Sequence, residues 1–196
     1  MGIRNLATVG LAVLVCVSGA LAQDQDKDKE KKKDEGAKNY LGIKGGIYMP
    51  TDSEIRDIFG TTIPVFGLSF DDFTRQADKW RLTFDLDFIT GRNGDDKFFA
   101  APFMGSVGRV FGSRSDQWRP YVRFGLGGAY FDYSITRRST LERFSEKRFG
   151  FGGEAEAGFF VGERVRVSAK YLWFSKVDDF DFSGLQITAT LNLIRF

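Results

Sequence analysis

The stretch Trp80-Arg81-Leu82-Thr83-Phe84-Asp85-Leu86-Asp87-Phe88 (WRLTFDLDF) splits cleanly at a period of two. Its odd members of the run, Trp80, Leu82, Phe84, Leu86 and Phe88, are large and apolar. The intervening Arg81, Thr83, Asp85 and Asp87 are polar or charged. A helix would scatter both sets around its circumference, whereas a strand puts each set on its own face. This nonapeptide is therefore a strand with one apolar and one charged side.

The same period recurs on both sides of it. In 118–131, Trp118, Val122, Phe124, Leu126 and Tyr130 oppose Arg119, Tyr121, Arg123, Gly125 and Gly127. In 149–161, Phe149, Phe151, Ala155, Ala157, Phe159 and Val161 oppose Gly150, Gly152, Glu154, Glu156 and Gly158. Segments 164–174 and 184–194 alternate as regularly, and 39–48 and 62–70 less cleanly. Segment 97–111 is apolar on both faces and contains Pro102, which has no ladder donor; the sequence gives no account of this proline, and a bulge is one way to seat it. Eight strands of about ten residues each predict an all-β fold, an eight-stranded antiparallel up-and-down barrel.

Alternation leaves open which face looks outward. A soluble lipocalin-like barrel holding a small apolar ligand would put the apolar set inside, and a transmembrane barrel would put it outside. The aromatic positions favour lipid outside. Trp80 and Trp118 begin their strands, while Tyr130, Tyr171 and Trp173 lie near the far ends of theirs. Two girdles at two lipid–water interfaces have this arrangement. Glycines favour it too: they crowd the polar face, where they weaken a solvated strand but make room inside a narrow bore. The charges of that face, Lys44, Arg81, Asp85, Asp87, Arg119, Arg123, Glu154, Glu156, Arg164, Arg166 and Lys170, are of both signs and suit a paired lumen network.

Upstream of the strands, residues 1–22 read as a secretory signal peptide. Arg4 precedes an apolar run from Leu6 to Val17, and Ala20-Leu21-Ala22 is a small-x-small cleavage site. Residues 23–38 (QDQDKDKEKKKDEGAK) contain nothing able to anchor a core and are expected to be a disordered charged periplasmic leader. The barrel then occupies 39–196.

Composition narrows the chemistry. With no His and one Cys, Cys16, in 196 residues, His-based hydrolases and His- or Cys-ligated metal sites are excluded. Twenty-eight Lys+Arg against 26 Asp+Glu give no reason to expect nucleic-acid binding. No catalytic residue, metal or cofactor is expected.

Arg119-Pro-Tyr-Val-Arg-Phe-Gly-Leu-Gly-Gly-Ala-Tyr130 resembles a characteristic strand of the small outer-membrane β-barrel family, the OmpA/OmpX-like and "porin family" barrels. Gly152-Gly-Glu-Ala-Glu-Ala-Gly158 followed by Arg164 to Tyr171 resembles that family's next hairpin. The last strand, with Ile194 two before Phe196, resembles its assembly signal, although Asn192, Thr190 and Thr188 stand where the family is more apolar. The resemblance implies a monomeric protein of the bacterial outer membrane. Its partners would be outer-membrane lipid and the barrel assembly machinery.

With a periplasmic leader, the outer loops are expected at 49–61, 91–96, 132–147 and 175–183. The periplasmic turns are expected at 71–78, 112–117 and 162–164. The last turn sets a register that pairs Val161 with Val165 and Glu156 with Lys170, predicting a Glu156–Lys170 ion pair. The functional expectation is a non-enzymatic scaffold or adhesion platform, or a very narrow pore whose excess of lumen cations would favour anions. The alternatives are the soluble ligand-binding barrel and an outer-membrane barrel enzyme.

Overall fold

Each period-two segment becomes a strand in a computed structural model, which describes residues 40–71, 80–113, 116–138, 140–162, 164–177 and 180–195. The cleavage site at Ala20 and Ala22, the charged leader, most of the 71–78 turn and Phe196 lie outside the described residues. The strands are β1 (Tyr40–Pro50), β2 (Ile63–Asp71), β3 (Trp80–Asn93), β4 (Asp96–Val110), β5 (Trp118–Thr136), β6 (Arg143–Val161), β7 (Val165–Phe174) and β8 (Gly184–Arg195). Each pairs antiparallel with the next, and β1 pairs with β8 to close the barrel.

Exposure resolves the inside–outside ambiguity. Trp80, Leu82, Phe124, Leu126 and Phe159 are all more than half exposed, while Asp85, Asp87, Arg123 and Glu156 are buried. Apolar side chains on the outside and charged ones inside is the arrangement that lipid demands and water would penalise. Trp80 and Trp118 ring the end where the chain enters and leaves the barrel. Towards the other end an outward row of rings runs Phe88–Phe99–Tyr130–Phe149, with centroids 6.4, 6.5 and 5.2 Å apart, and Phe151 meets Trp173 at 6.2 Å. Tyr171 and Trp173 face outward in the same zone.

Three sequence expectations need correction. Pro102 makes no bulge. The β3–β4 ladder stops after Leu86↔Phe103 and resumes at Ile89↔Ala100 in the same register, so the missing donor interrupts the ladder without shifting it. A register shift falls instead on the β1–β8 seam, between Leu41 and Gly42. The loop expected at 91–96 is only a tight turn at Gly94–Asp95, where Gly94 takes φ 59°. The loop expected at 132–147 is mostly strand. Pairing of β5 with β6 continues to Thr136↔Arg143 and leaves only 137–142 as the connection. Phe131, Tyr133 and Ile135 keep the inward alternation there, although their outward neighbours have become polar.

The first long loop also carries a short helix, α1 (Ser53–Phe59). It is capped by the Asp52 carboxylate accepting from the Glu54 N–H at 2.7 Å and ended by Gly60 at φ 90°. Two helical turns are too short to show a 3.6 period against a β background.

Strand lengths make the barrel lopsided. β3 to β6 run 14, 15, 19 and 19 residues, against 11, 9, 10 and 12 for β1, β2, β7 and β8. One wall therefore rises beyond the aromatic row at the long-loop end.

Candidate functional site

The interior is the candidate site, and it is built in three layers. Parity along each strand decides which residues enter it, and height along the barrel axis decides which layer they join.

Halfway up the bore, five strands deliver charges to one buried cluster. Lys44 comes from β1, Asp85 and Asp87 from β3, Arg123 from β5, Glu154 and Glu156 from β6, and Lys170 from β7. The Lys44 ammonium lies 2.7 Å from Asp85 and 2.6 Å from Asp87. Lys170 lies 2.6 Å from Asp87, 3.1 Å from Glu154 and 3.8 Å from Asp85. The Arg123 guanidinium contacts Asp85 and Glu156 directly and lies 3.4 Å from Glu154. Neutral donors complete the cluster: Gln186 donates to Asp87 at 3.2 Å, Ser106 to Glu154 and Tyr121 to Glu156. Removing an ion from water costs several kcal/mol, and only dense pairing with added hydrogen bonds offsets it. Four carboxylates sharing three cations and three neutral donors meet that condition.

The 162–164 turn sets the register that pairs Glu156 with Lys170 as Cα partners. Their charged ends diverge. Glu156 reaches Arg123 and Tyr121, and Lys170 reaches Asp87 and Glu154. Register fixes which backbones are opposite, while long side chains choose partners across the whole bore. The carboxylates of Asp85, Glu154 and Glu156 converge within 4.8 Å of one another, a spacing compatible with metal ligation. The cation they surround is Arg123 of this chain, whose forked guanidinium serves several oxygens at once.

Glycine makes room for this cluster. A Cβ at Gly67 would meet the Asp87 carboxylate and stand 2.7 Å from Lys44 Cε, so Gly67 keeps that space open.

Nearer the chain termini, cations meet rings. Arg119 lies over Phe160 at 5.3 Å and donates to the Gly162 carbonyl at 3.0 Å. Arg166 lies over Tyr121 at 5.7 Å and donates to Ser69 at 2.9 Å. Arg81 faces inward and is half-buried. Arg164 does not reach the lumen. It stands exposed in the turn before β7, where strand parity no longer applies.

At the long-loop end the bore is closed by apolar side chains that no sequence argument singled out. Phe182 is the hub, with ring centroids 5.1 Å from Phe98, 4.9 Å from Phe131 and 5.3 Å from Tyr133. Ile55 and Ile58 of α1 join the same buried cluster. The Asp52 carboxylate ties the two capping loops by accepting from the N–H of Asp181 at 3.2 Å, and Thr51 N–H donates to the Ser183 carbonyl at 2.9 Å. Two signals pointed here: the two-sided apolarity of 97–111, and the alternation of Phe131, Tyr133 and Ile135 within the supposed loop. Two shallow apolar grooves, of about 350 and 440 Å³, lie along Ile43–Phe66–Leu191 and Phe103–Gly127–Phe149.

A closed eight-stranded barrel with a lipid-compatible exterior and a salt-bridged core defines a small transmembrane β-barrel protein. Residues 10–192 match the family described as outer membrane protein beta-barrel domain, and the chain belongs to that family, placing it in the bacterial outer membrane. No curated protein matches the sequence. Among solved structures it is similar to the outer membrane enzyme PagL, at 14% identity and TM-score 0.52, covering 78% of this chain and 99% of that one. It is also similar to the N-terminal β-barrel domain of Pseudomonas aeruginosa OprF, at 12% identity and TM-score 0.48, covering 80% and 98%. Ail of Yersinia pestis matches at 17% identity and TM-score 0.46, covering 82% and 99%. At these identities the likeness is one of fold.

Proposed function

We propose that this protein is a non-enzymatic outer-membrane scaffold with a sealed bore, which serves by the surface it presents at its long-loop end. The observation that carries this reading is the buried cluster around Arg123, which spans the bore from β1 to β7 beneath a second, aromatic closure. Eight strands enclose space only for side chains or one small ligand, and here side chains take it.

Catalysis finds no support in the side chains available. The chain has no His to act as general base. Ser106, hydrogen-bonded to Glu154, is buried in the salt-bridged layer, away from any path for substrate. The charges are also unevenly placed: Arg81, Arg119 and Arg166 lie nearer the terminal end, Arg164 stands in the turn, and the middle of the bore holds four carboxylates against three cations, all paired.

Planar-bilayer recording of the purified protein tests the seal. No resolved steps above membrane leakage are expected, and reproducible unit conductance would overturn the reading. Orientation is tested separately. The long loops lie outside if an impermeant maleimide labels Thr140→Cys on intact cells and spares Arg164→Cys. The reverse pattern would invert the barrel.

A further inference from the structure

The connection 137–142 between β5 and β6 turns its first side chain back onto the molecule. The Arg137 guanidinium lies over the Phe144 ring at 4.9 Å and over the Phe180 ring at 5.0 Å. Those two rings meet at 82° with centroids 5.6 Å apart, so they form two walls of a corner. The Glu54 carboxylate supplies a third side, 3.3 Å from Arg137 Nε. Two ring faces and one carboxylate are the chemistry of a cation cage. Phe144 comes from β6, Phe180 from the loop between β7 and β8, and Glu54 from α1, so three separate segments build it. The Arg137 and Glu54 side chains stay 21% and 30% exposed, so the seat is reached from solvent.

Arg137 is a poorly satisfied occupant. Its Nε is buried and makes no hydrogen bond, so its contact with Glu54 is Coulombic and lacks alignment. The turn that delivers it is strained as well. Arg137 N–H donates to the Glu142 carbonyl and Leu141 N–H to the Arg137 carbonyl, both at 2.8 Å, and Leu141 is held at φ 59°. There a Cβ crowds the following carbonyl oxygen, and only glycine takes that conformation freely. Leu141 gains no packing in return, being 80% exposed. A permanent pin has no use for this strain, whereas an occupant that must leave is helped out by it.

We propose that this cage is a binding seat for the guanidinium group of a partner protein's arginine, and that Arg137 fills it in cis until the partner displaces it. An incoming arginine meets the same two ring faces and the same Glu54. Coming from outside, it can turn a full N–H edge to the carboxylate, where Arg137 presents one misaligned nitrogen. Its entry frees residues 137–142 and lets Leu141 leave the left-handed region. The tethered occupant competes with any free cation and lowers its apparent affinity. Only a partner that brings further contacts then binds firmly, so a stray cation does not trigger the exchange.

This inference rests on the proposed outward presentation of the long-loop end, which the Thr140→Cys labelling tests alone. Its own experiment uses the full barrel in lipid nanodiscs, where both ends are accessible whichever way it inserts in cells. Methylguanidinium is the probe, and methylurea, of the same shape without the charge, is the control. Arg137→Ala empties the cage. NMR of that variant should show saturable shifts of the Phe144 and Phe180 ring signals at methylguanidinium concentrations on the order of millimolar, and none with methylurea. Adding Glu54→Gln should weaken that binding about threefold or more. In the wild-type barrel the probe should bind about tenfold or more weakly and speed exchange of the Leu141 amide, whose bond to Arg137 is lost on displacement. Leu141→Gly relieves the turn, favours the cis occupant and should weaken binding by about a further threefold. Should Arg137→Ala disorder the loops, the wild-type titration decides alone. Absence of saturable shifts in a folded Arg137→Ala barrel overturns the seat, as does equal binding of methylurea. Wild-type binding as tight as in the emptied cage, or without faster Leu141 exchange, overturns the displacement, and so does Leu141→Gly binding as well as the wild type.

Discussion

The aromatic layer around Phe182 and the ionic layer around Arg123 fill the same bore by opposite physics. In the first, rings contact one another at 4.9 to 5.9 Å with varied tilts, and the stabilisation is area removed from water plus dispersion. Such packing is non-directional and forgives a change of shape at constant volume. In the second, every group is expensive to bury and is held only by partners at defined positions. Removing one partner leaves an uncompensated charge in a sealed interior. The aromatic layer closes the bore, and the ionic layer makes closure depend on one register of the strands.

The largest expected effect is at Arg123. Arg123→Ala leaves the buried Glu156 without its cation and takes one partner from Asp85 and Glu154, and should cost about 3–5 kcal/mol, read as a lower urea midpoint for refolded barrels in vesicles. Arg123→Lys should restore only part of it, since an ammonium has no fork to serve three carboxylates. Phe182→Ala in the other layer should cost a similar ~3–5 kcal/mol. Phe182→Leu, however, should recover to within about 1.5 kcal/mol of the parent. If the conservative change is as costly in the aromatic layer as in the ionic one, the distinction between them fails.

The glycines sharpen the same comparison at lower cost. Gly67→Ala pushes a methyl against Asp87 and Lys44 and should destabilise by about 1–3 kcal/mol through overpacking of the ionic layer. Gly45→Ala, on the outer face with nothing near its added methyl, should be neutral or stabilise by about 0.5–1 kcal/mol. Equal effects at the two positions would show that strand propensity, and not interior space, explains the glycines.

What was legible in the sequence follows from locality. Side-chain period is a property of two adjacent peptide units, so WRLTFDLDF and its counterparts displayed strands, faces and strand count without any tertiary information. The outward placement of Trp80, Trp118, Tyr130, Tyr171 and Trp173 near strand ends was legible for the same reason, because position along a strand becomes height along the barrel. A three-residue turn even fixed Glu156 opposite Lys170.

Partner choice among the charges, closure of the bore by Phe182 and the rings around it, and the rise of β6 past its pairing with β7 were not legible. Each depends on which residues of distant strands share a height in the closed barrel, and strand stagger around the ring sets that height. The polar outward face of 143–148 resembles a loop in sequence because charge on one face reads alike in a solvated loop and in a strand that has left the lipid. Sequence by itself determined that this chain makes an eight-stranded barrel with charges inside. Tertiary structure alone decided that Arg123 holds the carboxylates, that aromatic rings close the end above them, and that one strand rises past its neighbour. Ladder pairing is local along a hairpin, whereas layering and edge exposure are properties of the closed ring.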